Sequence, residues 1–176
     1  MAGFNNNASP KAKTERFKLY IDVSPEKAGD YELQGKGVEN WTIDRGEEIT
    51  KTKDVLGGVE VERSTPEPTQ TGVRIFVRKD SKFAEMIADA EFTGDTSKLD
   101  SINILKKYEF MDGDTENTCK AKLEKEVTVG VPTFEGEAGG YLAYVVDFHY
   151  SNRFTTGTMP KIDGTKITFT PDTIGE

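Results

Sequence analysis

INILKKYEFMDGDTENTCKAKL, running from Ile102 to Leu123, is the stretch that decides the fold class. From Ile102 to Met111 apolar and polar residues trade places with a two-residue period, the signature of a β-strand. Asp112-Gly113 then breaks the run with a strong hairpin signal. Beyond the turn, Cys119, Ala121 and Leu123 alternate with Lys120, Lys122 and Glu124, and the pattern continues toward Val127, Val129 and Val131. The reading is strand, tight turn, long returning strand.

The same period recurs on both sides. In Arg16 to Val23, Phe17, Leu19, Ile21 and Val23 share one face, and Lys18, Tyr20 and Asp22 the other. In Val73 to Arg78, Val73, Ile75 and Val77 oppose Arg74, Phe76 and Arg78. Gly35 and Gly37 read as turn glycines leading into Val38 to Asp44. Tyr141 to Tyr150 is aromatic and β-branched throughout, so both its faces are expected to be covered. Lys161 to Thr170 closes the chain, with Asp163-Gly164 as a turn ahead of Ile167 and Phe169. One segment departs from the pattern. Over about residues 80–92, Phe83, Ile87 and Ala90 fall at helical spacing with Met86 alongside, Asp80 or Ser81 can cap the start, and Gly94 ends it. Seven or so strands with one flanking helix predict a mainly β fold, a β-sandwich or barrel.

The segment over about residues 47–71 reads as a long hairpin loop. It carries β-formers (Ile49, Thr50, Thr52, Val55, Val59, Val61), a central Gly57-Gly58 pair and a Pro66/Pro68 exit. So little apolar surface does not hold an isolated hairpin together in water, and its edges would lie bare. It is therefore either a mobile loop or a contact with another subunit. Residues 1–15 (Asn, Ala, Ser, Pro and Lys with Phe4) read as a flexible arm, and residues 16–176 as a single domain.

Composition narrows the function classes. The chain has 176 residues, 31 acidic against 23 basic, for a net charge of −8. Counterion release on neutralising phosphates drives nucleic-acid affinity, so an acidic domain is poorly suited to gripping DNA or an anionic membrane. The longest apolar run, Tyr141 to Val146, is too short to span a bilayer, and residues 1–13 lack the apolar stretch of a signal peptide. A soluble, non-exported chain is expected. The single Cys119 allows neither an internal disulfide nor a multi-cysteine metal site.

Chemistry-bearing patterns are sparse. His149 occurs once, inside an apolar strand, where a structural role outweighs that of a general base. Cys119 sits mid-strand among lysines, without the base and orienting acid a nucleophile needs. Gly29 to Gly37 misses the phosphate-loop spacing, with five residues between Gly29 and Gly35 and with Gly37 after Lys36. Counted from Asp112, a calcium loop would place Gly at Asn117 and Glu at Leu123, so that motif fails too. Carboxylate pairs such as Glu47/Glu48 and Glu135/Glu137 are plentiful, but glycosidase acids need two carboxyls across a sugar cleft, which neighbours in sequence do not establish. Trp41, Tyr141, Tyr144 and Tyr150 are aromatics suited to sugar stacking, but strand positions favour core packing. No catalysis, cofactor or metal is expected.

Taken together, the layout resembles the major tail tube proteins of long-tailed, siphovirus-type bacteriophages of low-GC Gram-positive hosts. The features that carry this are the opening strand Phe17 to Val23 leading to Gly35-Lys36-Gly37-Val38, the acidic, threonine-rich hairpin, and a short helix. At the helix start, family members often read D-P-V-F and this chain reads Asp80-Ser81-Lys82-Phe83. Gly130-Val131-Pro132-Thr133-Phe134 and Gly136-Glu137-Ala138-Gly139 then precede the strand Leu142 to Tyr150, and Gly157-Thr158 leads to Phe169-Thr170-Pro171. The resemblance spans residues 16–171 and is one of pattern, with no single diagnostic motif.

The resemblance implies a subunit that joins five copies of itself in a hexameric ring, the rings stacking into a tube. A long hairpin and the terminal arms bridge subunits and rings. Ile49, Val55, Leu56, Val59, Val61 and Phe4 are then the expected contacts. Tape measure, tail terminator and baseplate or initiator proteins are the expected partners. DNA would pass through an acidic lumen during ejection without specific binding, and the protein would sit in the virion tail after assembly in the host cytoplasm. Two alternatives stand beside it: the inner tube of a contractile tail or tail-like bacteriocin, and, from another class, a small carbohydrate-binding or adhesin module.

Overall fold

The strand–turn–strand around Asp112-Gly113 is the spine of the molecule. The computed structural model describes residues 13–24, 29–34, 42–136, 138–164 and 166–172. Numbered in chain order, ten strands and one helix are present among them: β1 (Phe17–Asp22), β2 (Tyr31–Gln34), β3 (Ile49–Lys53), β4 (Val59–Arg63), β5 (Thr69–Phe76), α1 (Lys82–Thr93), β6 (Ile102–Asp112), β7 (Thr118–Gly136), β8 (Leu142–His149), β9 (Arg153–Pro160) and β10 (Thr170–Pro171). The 19-residue β7 is longer than any other strand because it serves two sheets in turn. Its first part pairs with β6 and β9, extending a run β10-β9-β7-β6-β1-β2, and its second part pairs with β8, which pairs with β5. The passage falls near Glu126, whose φ of 55° is rare for a residue with a side chain. Glu126 is fixed there by two short bonds from Arg153, at 2.7 and 2.8 Å. A strand that changes sheet at a bend is how sandwich corners are made.

The apolar positions sort onto the two faces of the larger sheet. On one face Leu19, Ile21, Ile102, Ile104 and Val127 meet Val73 and Ile75 of β5, Val146 and Phe148 of β8, and Phe83, Ile87 and Ala90 of α1. On the other, Tyr20, Leu105, Cys119, Ala121 and Met159 form a smaller cluster roofed by Ile167 and Phe169. Each fully buried aliphatic or aromatic side chain contributes about 1.5–3 kcal/mol by leaving water.

Helix α1 starts and stops as its sequence dictates. Ser81, which stands where the resembled family has Pro, is the N-cap, its Oγ accepting from the Ala84 amide at 3.1 Å. Glu32 of β2 accepts from the Phe83 amide at 3.0 Å and from the Ser81 hydroxyl at 2.7 Å, so the helix start is tied to the sheet. Gly94 ends the helix in the left-handed region (φ 72°), a backbone state that costs glycine little.

Several expectations need correction. The hairpin covers only residues 49–63, because Thr69 already belongs to β5, which pairs with β8. Strand β9 was not expected at all: Thr155, Thr156, Gly157 and Thr158 give it no apolar alternation, yet it pairs with β7 along its whole length. The closing strand shrinks to Thr170–Pro171. Tyr20 and Asp22, placed on a polar face, are buried: Ile167 and Phe169 cover Tyr20, and the Asp22 carboxylate accepts from the Ser24 and Gly29 amides. On β8 Tyr144, Val146 and Phe148 are buried, while the other face is covered only in part, with Ala143 buried and Val145 and Asp147 half-buried. The turn glycines Gly35 and Gly37 and most of the Val38 to Asp44 run lie outside the described residues, as does Phe4 with residues 1–12 of the arm. From Thr14 to Arg16 the chain makes a short 3-10 turn, with Arg16 donating to the Glu109 carbonyl at 2.8 Å.

Candidate assembly surface

Strands β3 and β4 form a two-stranded sheet of their own, and every residue in both is exposed. Local chemistry builds the turn between them. Asp54 accepts from the amides of Leu56 and Gly58, both at 2.8 Å, and its own amide donates to the Gly58 carbonyl at 3.0 Å. Gly57 supplies the positive φ, 87°, that the reversal requires. At the base, Ser64 exchanges bonds with Glu48, and Arg63 pairs with Glu47 at 2.7 Å. The turn is thus a rigid presentation of Val55 and Leu56, whose relative exposures are 103% and 93%.

The register gives the hairpin two unlike faces. Directly opposed residues share a face, so Ile49/Arg63, Lys51/Val61 and Lys53/Val59 lie together, and Thr50/Glu62 and Thr52/Glu60 lie on the other side. One face is apolar and cationic, the other acidic and hydroxylated. Ile49, Val59 and Val61, expected as contact residues, are therefore gathered on one side, next to Val55 and Leu56 at the tip.

The residues that carry chemistry elsewhere are occupied structurally. Cys119 is fully buried, and desolvation pushes its thiol pKa up, which disfavours a thiolate. His149 is an exposed β8 residue opposite Thr69 and Thr128. Tyr150 is core, its hydroxyl bonded to Gln70 at 3.0 Å, and Tyr144 donates to Glu91 at 2.8 Å. Tyr141 is exposed and meets Phe76 edge-on, while Trp41 lies outside the described residues. Asp112 pairs with Lys161 and Asp114 with Lys120, each at 2.9 Å. Glu47 and Glu135 are held by Arg63 and Arg74, and Glu137 lies outside the described residues. Among the described residues no helix is long and apolar enough to cross a membrane.

Two buried charge clusters escaped the sequence reading. Lys107 is inaccessible to solvent; its Nζ lies 2.6 Å from Asp163, 3.1 Å from Glu109 and 3.0 Å from the Lys161 carbonyl. Burial opposes the charge on Asp163, but hydrogen bonds from Lys107, Lys18 and Tyr20 outweigh it and hold the carboxyl below its ordinary value. On the opposite face Lys106 pairs with Glu124 at 2.7 Å and lies over the Tyr150 ring at 3.8 Å. Desolvation dominates there and lowers the Lys106 pKa. The signal was the dipeptide itself: consecutive strand residues point to opposite faces, so in a sheet covered on both sides Lys106 and Lys107 are both buried.

No family model and no curated protein sequence matches this chain. Among solved structures, the tube-terminating cap of the anti-feeding prophage superposes with a TM-score of 0.50 at 12% identity, over 88% of this chain and 95% of that one. In fold, the chain is similar to a tube-terminating cap. The sheath/tube terminator of an extracellular contractile injection system superposes at 0.49 with 11% identity, over 84% and 97% of the two chains. At such identity the likeness is one of fold.

Proposed function

We propose that the protein is a structural subunit of a phage-type tail tube, assembling with copies of itself into stacked hexameric rings. The observation that carries this reading is the projecting β3–β4 hairpin, a rigid apolar tip that its own domain leaves in water. Exposed apolar surface of this kind marks interaction sites, and the domain it projects from has the fold of a protein that caps a tube. The long-tailed phage tube suggested by the sequence pattern is the preferred setting, with tape measure, terminator and baseplate or initiator proteins as partners. The place of action is the virion tail, assembled in the host cytoplasm. A net charge of −8 is multiplied sixfold in a ring, which favours passage of DNA without binding.

A second reading is a cap that ends a tube instead of building it, favoured by the likeness to the prophage cap. Negative-stain electron microscopy of the purified protein across concentration and salt separates the two. Hollow tubes of many rings are the expected result. Isolated rings that never stack would favour the cap, and a monomer in every condition would move weight to a carbohydrate-binding module, to be tested by a glycan screen.

A further inference from the structure

Beside the helix lies a groove that the domain leaves unfilled. It runs between the C-terminal half of α1, the turn over residues 96–100, and the β7–β8 pair, with a volume of about 510 Å³. Ile87, Leu99 and Val129 form a buried aliphatic floor. One wall is Phe134, 46% exposed and stacked on Tyr144 at 4.7 Å. The rim carries two carboxylates, Glu91 and Asp100. Apolar grooves of a few hundred Å³ with a few polar groups at the mouth are the usual form of a site that takes an apolar guest.

We propose that this groove receives the Val55–Leu56 tip of a second copy of the chain. The inference rests on the self-assembly reading above and adds the acceptor surface to it. Complementarity of two kinds supports this occupant. The tip offers two aliphatic side chains on a turn already rigidified by Asp54, so little ordering entropy opposes docking. Lys51 and Lys53, on the hairpin's apolar face just behind the tip, suit the Glu91/Asp100 rim, while Glu60 and Glu62 lie on the opposite face. The negative charge of Asp54 is taken up by the turn amides. Tip and groove are different surfaces of one chain, so each copy gives one and offers the other. Such a head-to-tail contact closes into a ring or propagates as a filament.

Site-specific photocrosslinking tests this directly. Leu56 is replaced by p-benzoylphenylalanine, the variant is mixed with ¹⁵N-labelled wild type under assembling conditions, and mixed-isotope crosslinked peptides are mapped by mass spectrometry. Crosslinks between position 56 and residues 87–100 or 128–145 of another copy are expected. Assemblies whose crosslinks map elsewhere overturn the groove assignment and leave self-assembly standing; absence of any assembly, with wild type or variant, overturns both. A second arm uses exposed residues only. Lys51→Glu with Lys53→Glu is expected to raise the concentration needed for assembly about tenfold, and adding Glu91→Lys to restore it. An unchanged threshold in the lysine variant overturns the charge pairing.

Discussion

Two hairpins in this chain have the same local grammar and opposite fates. β6–β7 and β3–β4 are both antiparallel pairs closed by an Asp- and Gly-containing turn. In the first, Ile102, Ile104, Leu105, Cys119, Ala121 and Val127 are buried on two faces, and even its paired lysines lie inside. In the second nothing is buried. The difference is one of apolar density: a hairpin whose two strands carry only three β-branched aliphatics (Ile49, Val59 and Val61), with Val55 at the tip, among charges and threonines recruits no core from its own domain. What it retains is a rigid turn and an apolar tip. One hairpin holds the domain, and the other, on the proposed function, holds a neighbour.

Substitutions that break this contrast follow in order of expected effect on stability. Ile104→Ala in β6, at 1% exposure, is expected to cost about 2–5 kcal/mol in urea unfolding. Asp163→Asn removes the nearer of the two carboxylates that face the buried Lys107, leaving Glu109, and is expected to cost about 1–3 kcal/mol near neutral pH. Because the folded-state pKa of Asp163 lies below its ordinary 3.8, its contribution is complete above that pH and fades as pH falls through and below it. Melting temperature should therefore drop more steeply below about pH 4 in the wild type than in Asp163→Asn. Ser81→Ala, which removes the helix N-cap, is expected to cost about 1 kcal/mol. Val55→Asp with Leu56→Asp should move stability by no more than about 0.5 kcal/mol, because both side chains are already in water. On the proposed function, its effect is expected on assembly alone.

What the sequence made legible was whatever had a period. The β6–β7 hairpin, β1, β8 and the helix with its Gly94 stop were readable, because burial on one side imposes alternation or helical spacing. β9 was not readable, since threonines and a glycine pack adequately on a flank while showing no alternation. The second covered face of the large sheet was missed for a related reason: Ile167 and Phe169 roof Tyr20 and Leu105 from outside any long strand, so nothing local announced them. The proposed hairpin contacts Ile49, Val55, Leu56, Val59 and Val61 were singled out by their misfit, apolar side chains in a segment too polar to build a core of its own. The groove beside α1 was invisible, because Ile87, Leu99, Val129 and Phe134 come together only in three dimensions.

The most direct measurement is negative-stain electron microscopy of the wild type and the Val55→Asp/Leu56→Asp variant side by side, with circular dichroism to establish that both are folded. Stacked rings or tubes from the wild type, and a folded monomer from the variant, are the expected result. Tubes of normal appearance from the variant would contradict the claim that the hairpin tip joins one subunit to the next.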